Sequence, residues 1–153
     1  MTKNIIVKNS YIESILATTQ NGIEIKNENF AKILNKSLPV KVSYWLARAV
    51  DKMTQEARTY FNARQDLIQK YAQRYEEDGK DEHKEWKKDD IIVSNTGNIS
   101  FGDNQEKFML DFIELQNIES DLGIPTIKID LDKLPEFTTI EISAIIPLIE
   151  INS

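Results

Sequence analysis

Residues 41–78, KVSYWLARAVDKMTQEARTYFNARQDLIQKYAQRYEED, run without a glycine or a proline. Apolar or stem-burying side chains recur there at Val42, Leu46, Ala49, Met53, Ala57, Tyr60, Arg64, Leu67, Tyr71 and Tyr75, in steps of three or four. That spacing gathers them on one stripe of an α-helix and comes close to a coiled-coil seam. At about 1.5 Å per residue the helix would reach roughly 55 Å, longer than a small domain is wide. A seam of that length has to be covered by other protein, from this chain or from another.

Ser37-Leu38-Pro39 ends one helix and opens the long one, since proline is tolerated in a first turn. Further upstream, residues 4–8 read as a short strand. Ser10 and Glu13 stand at capping-box spacing before a short helix over 11–20. Asn21-Gly22 is a turn, and 23–26 are a strand or extended chain. Asn27 or Asn29 caps a helix through Phe30, Ile33 and Leu34.

Downstream, residues 76–90 hold eight acids and four lysines, the pattern of a solvated loop or a fraying helix end. Residues 91–101 place two β-prone runs around Asn95-Thr96-Gly97-Asn98, a hairpin signal. Asp103 or Asn104 caps a helix through Phe108, Met109, Phe112, Ile113 and Leu115, which Gly123-Ile124-Pro125 breaks. Residues 126–131 alternate as a strand. Thr138 and Glu141 repeat the capping-box spacing before Ile142, Ile145 and Ile146, and Pro147 stops that helix. Residues 148–151 are a strand or an extended tail. The expected fold is α+β and helix-dominated: one domain over 1–153, a long central helix packed by shorter helices, and a small antiparallel or mixed sheet.

The chain carries a formal net charge of −6, which opposes a dedicated nucleic-acid binder. It has no cysteine, so disulfides, thiolate metal sites and cysteine nucleophiles are excluded. No run approaches the ~18 apolar residues of a membrane span, and the first twenty residues lack a signal-peptide core. A cytoplasmic protein without a membrane partner is expected.

His83, the single histidine, falls in the charged run, whereas a Ser–His–Asp site needs a buried, oriented imidazole. Asp121, Asp130, Asp132 and Glu136 are hard oxygen ligands, but they lack EF-hand spacing and fit a solvated strand edge. No glycine-rich phosphate loop occurs. No catalytic residue, cofactor or metal is therefore assigned.

The long helix interleaves basic residues with aromatic ones. Such a row can engage phosphates, although Asp51, Glu56 and Asp66 on the same helix favour ordinary intrahelical pairing. Tyr, Trp and Arg are also the residues of protein contact centres. Trp45 lies beside the seam, either widening the buried stripe or facing another subunit. The candidate interaction surface is Trp45, Arg48, Arg58, Phe61, Arg64, Arg74 and Trp86.

Two stretches carry a resemblance. In residues 38–80 these are Leu38-Pro39, Tyr44, Leu46-Ala47, Arg64, Leu67-Ile68-x-Lys70-Tyr71 and Asp78-Gly79-Lys80. Residues 97–131 with 142–150 add a hairpin, a helix ending in Glu-Leu, a strand and a small helix. Together they resemble an uncharacterised family of small bacteriophage proteins. The resemblance implies a phage or prophage origin, in a host cytoplasm or a virion, and brings no catalytic residue with it. The function expected is protein–protein interaction in particle assembly or as an accessory component, with a virion or host protein or a second copy as partner. Inhibition of a host defence or nucleic-acid enzyme is the alternative, and a nucleic-acid-binding accessory factor the second.

Overall fold

The computed structural model describes residues 3–74, 90–94 and 96–152. Tyr75, His83, Trp86 and Asn95 lie outside the described residues, as does most of the charged run. In chain order the elements are β1 (Asn4–Lys8), α1 (Asn9–Ile15), β2 (Leu16–Thr19), β3 (Gly22–Ile25), α2 (Glu28–Leu34) and α3 (Val40–Tyr71). After these come α4 (Gln105–Gln116), β4 (Glu119–Pro125), β5 (Ile127–Asp130), α5 (Thr139–Ile145) and β6 (Ile149–Asn152). The fold is α+β and dominated by helix, with α3 alone taking 32 residues. The chain packs as two compact units, one of residues 1–61 with 116–153 and the other of residues 62–115.

In the first unit the seam of α3 is buried from Leu46 to Tyr60, and Val42 before it is half-buried. Leu46, Ala49, Met53, Ala57 and Tyr60 are all buried, together with Ile12, Ile15, Phe30, Ile33, Ile124 and Ile145. Strands arrive in pairs: β1–β4 and β2–β3 antiparallel, β5–β6 parallel. Among the described residues there are three two-stranded sheets instead of one small sheet.

The N-terminal helix is shorter than its pattern. It ends at Ile15, and Leu16–Thr19 pair as a strand with Gly22–Ile25. The Ile15 carbonyl accepts from Lys26 N–H at 2.8 Å, which draws the chain out of the helix. Ser10 caps nothing there, since the N-cap is Lys8 without a side-chain bond. Glu13, expected to close that capping box, accepts instead from the hydroxyl of buried Tyr60.

Gly123 and Pro125 also differ from expectation: they belong to β4 rather than to a break. The Asp121 carboxylate accepts from Gly123 N–H at 2.8 Å, and Gly123 takes φ +70°. Only glycine adopts that conformation without strain, and it forms the irregularity in the β1–β4 register.

Two helices start as their sequences say. Asn27 Oδ1 accepts from Phe30 N–H at 3.0 Å to cap α2. Thr138 and Glu141 form the reciprocal capping box of α5. Glu141 is buried, and its carboxylate also meets Lys36 Nζ at 3.2 Å.

The Thr138 N–H, with help from Lys36, holds the Glu141 carboxyl below the usual glutamate range. A folded-state pKa below the unfolded one contributes stability above the unfolded value, and that contribution fades as pH falls through the lowered one. Melting curves taken from neutral to acid pH should show an acid-limb loss that shrinks in Glu141→Gln. The exposed Glu24→Gln control should leave that limb unchanged.

The second unit holds the last turns of α3, the 90–101 segment and α4 up to Leu115. Here the seam residues Arg64, Leu67 and Tyr71 are half-buried. Phe108 is buried and stacks on Phe101 and Phe112, with centroids at 4.0 and 5.5 Å. Tyr71 Oη donates to Asp111 Oδ2 at 2.6 Å.

The helix stops at Tyr71 instead of fading near Glu76. Gln73 N–H bonds the Ser100 carbonyl at 2.8 Å, and Ile92 N–H bonds the Gln73 carbonyl at 2.9 Å. Asn104 Nδ2 reaches the Tyr71 carbonyl at 3.3 Å. Backbone pairing with a distant segment thus replaces the next helical turn. The expected hairpin forms around Gly97, at φ +84°, and is closed by a bridge between Val93 and Ile99.

Candidate interaction surface

The first turns of α3 present a fixed aromatic–arginine cluster. Val40 is 86% exposed and Tyr44 52%, while Trp45 is half-buried. Positions i and i+4 adjoin on a helix surface, which sets Arg48 beside Tyr44. The two rings meet edge to face at 5.2 Å and 78°. Arg48 Nη1 donates to Tyr44 Oη at 3.3 Å, and its guanidinium carbon lies 6.0 Å from the Tyr44 centroid and 5.8 Å from that of Trp45. These contacts hold three large side chains in one geometry before any partner arrives. Less rotamer freedom then remains to be lost on binding.

Beside the cluster lies a groove of about 470 Å³, lined by Lys41, Val42 and Trp45 of α3 and by Thr126, Ile127 and Lys128 across from them. A second hollow of about 210 Å³ shares Lys41, Val42, Lys128 and Asp130 with it, and adds Leu38 and Phe137. Lys41 and Lys128 make no ion pair among the described residues. Arg48 and Lys52 follow Lys41 along the same flank of the helix, so a locally basic strip stands on an acidic chain.

Of the residues expected at the interaction surface, the structure brings Trp45 and Arg48 together. Arg58 is exposed almost three turns further along α3. Phe61 is 9% exposed and packs on Tyr60 at 5.3 Å, which corrects its assignment: it is core, drawn in because it continues the stripe beside Tyr60. Arg64 and Arg74 are half-buried in the other unit, where Arg74 donates to the Gln69 carbonyl at 2.6 Å. Trp86 lies outside the described residues.

Tyr44 and Lys41 were missed, although the i,i+4 spacing of Tyr44 and Arg48 was readable. Lys128 carried no sequence signal, because only folding brings residue 128 to residue 41. A further apolar strip, Met109, Leu110 and Ile113 on α4, is exposed in the second unit.

The acidic candidates do not converge on a cation. Asp121 is engaged by Gly123, and among the described residues no three His, Asp or Glu side chains stand close enough to hold a metal. Among the described residues no helix is long and apolar enough to cross a membrane. No protein-family model, no curated protein and no solved structure matches the chain.

Proposed function

We propose that this chain is a non-enzymatic interaction protein that docks a protein partner on the first turns of α3. The observation that carries the reading is the preset cluster of Tyr44, Trp45 and Arg48, open to solvent beside a basic-edged groove. Trp, Tyr and Arg dominate the residues whose truncation weakens protein complexes most. The resemblance to small bacteriophage proteins supports a setting in particle assembly or as an accessory component. A phage-encoded inhibitor of a host enzyme would use the same surface.

The test is capture of partners by the full chain from infected-cell lysate, followed by affinity measurement with the purified partner. Trp45→Ala or Arg48→Ala should each weaken that complex by about 30-fold, near 2 kcal/mol. Arg58→Ala, exposed on the same helix, should leave it unchanged. Equal affinity in all three variants would refute docking at this surface. The identity of the captured partner, virion component or host enzyme, separates the two settings.

A further inference from the structure

Resting on that reading, we infer that the docked part of the partner is an extended acidic peptide segment, which adds a strand to the open edge of β5 in the groove against α3. The argument starts from which residues line the groove. Successive residues of a strand point to opposite faces of a sheet. Ile127, Lys128 and Asp130 line the larger hollow, with Asn152 of β6 at one end, and Lys128, Ile129 and Asp130 line the smaller. Residues of both faces of β5 thus border the two hollows, and α3 borders them from the other side.

Among the described residues the other edge of β5 is open from Ile127 onward: β5 pairs with β6 alone, in parallel, and the Thr126 N–H is already bonded to the Lys3 carbonyl at 2.8 Å. Among the described residues no other backbone group pairs with 127–130 from outside that ladder. An edge strand presents unpaired N–H and C=O groups, and the natural complement is another extended backbone. α3 forms the opposite wall, so the site is a trough with a hydrogen-bonding side and a side-chain side.

Charge selects the peptide. Lys41 and Lys128 line the larger hollow from its two walls and outnumber Asp130, the acid that lines it with them, while Arg48 stands one turn beyond Trp45 outside the lining. An acidic residue of the incoming strand meets these cations. The smaller hollow shares Lys41, Val42, Lys128 and Asp130 and adds Glu136 with the apolar Leu38 and Phe137, which suits an apolar residue at that end. The segment is therefore extended, with a carboxylate near Lys41 and Lys128 and an apolar side chain toward Phe137.

The probe is a blocked octapeptide of alternating glutamate and valine, titrated into the full-length chain by NMR. The amides of 127–130 and the Trp45 indole should shift together. Affinity should fall at least 10-fold in the Lys41→Glu/Lys128→Glu double variant and stay unchanged in Lys32→Glu on α2. A peptide N-methylated at alternate residues, which has lost half its N–H donors, should also bind at least 10-fold more weakly.

Equal binding of the methylated peptide would overturn strand addition and leave the docking surface standing. Shifts absent from 127–130, while Trp45→Ala still weakens the captured complex, would do the same. Loss of both effects would end both readings. Oligothymidylate displacing the peptide, with a steep salt dependence, would overturn the peptide in favour of nucleic acid.

Discussion

Replacing Phe30 with alanine is expected to cost about 3–5 kcal/mol, the range for truncating a fully buried aromatic residue. Against a total stability on the order of 5–15 kcal/mol, that removes at least about a fifth of it, and at the low end of the range leaves the variant close to unfolding at room temperature. Phe30 is wholly buried, and Ile33, one turn on, is buried beside it. The two face inward because α2 begins where it does, with Asn27 accepting from the Phe30 N–H itself. The helix is seven residues long, too short to hold without tertiary packing. Its ring therefore both fills the core and keeps α2 in place, and the surroundings cannot collapse onto the void without losing the capped turn. Urea unfolding should show the lower midpoint at an unchanged slope. A loss below about 1 kcal/mol would show the site open or relaxed in solution, contrary to its burial.

That expectation was available from the sequence, because α2 announces itself locally: a capping Asn, then apolar residues at helical spacing. The same holds for the Thr138–Glu141 box and for the hairpin at Gly97, where the deciding chemistry lies within four residues. Elements decided at a distance were not legible. Nothing between Tyr71 and Glu76 stops a helix, and the stop is imposed by the backbones of Ile92 and Ser100. Leu16–Thr19 carry a pattern that suits either state, and the partner strand at 22–25 settles it. Gly123 and Pro125 read as punctuation, whereas the first is a bulge and the second the end of a strand opposite Asn4.

The candidate site divides the same way. Trp45 and Arg48 could be picked out because one helical stretch carries both. Phe61 was mistaken for surface because the stripe at Ala57, Tyr60 and Phe61 is wider than a two-position seam, and a wider stripe buries more. Lys128 and the open edge of β5 belong to the tertiary fold alone. The basic row of α3 was legible in the sequence, and the net charge of −6 did not exclude it, since a sum over 153 residues says nothing about one flank of one helix.

A proline at Ala57 is expected to cost more than 3 kcal/mol, and the reason bears on the whole first unit. Ala57 sits near the middle of α3 and is fully buried. Proline there removes the N–H that bonds the Met53 carbonyl, and its ring meets that carbonyl. Met53 is itself fully buried, so the helix cannot relieve the clash by bending without pulling a core side chain away from its contacts. Glycine at the same position keeps the hydrogen bond and should cost only about 1 kcal/mol for its backbone freedom, plus the loss of one buried methyl. The gap between the two variants thus measures helical continuity at this point, separately from packing. It should appear in equilibrium unfolding, and in hydrogen exchange as lost protection over Leu46–Phe61 in the proline variant. A proline no more costly than glycine would mean that α3 is already broken near residue 57 in solution. The buried face from Leu46 to Tyr60 would then no longer be one continuous stripe, and the cluster at Tyr44, Trp45 and Arg48 would lose the rigid support on which its preset geometry depends.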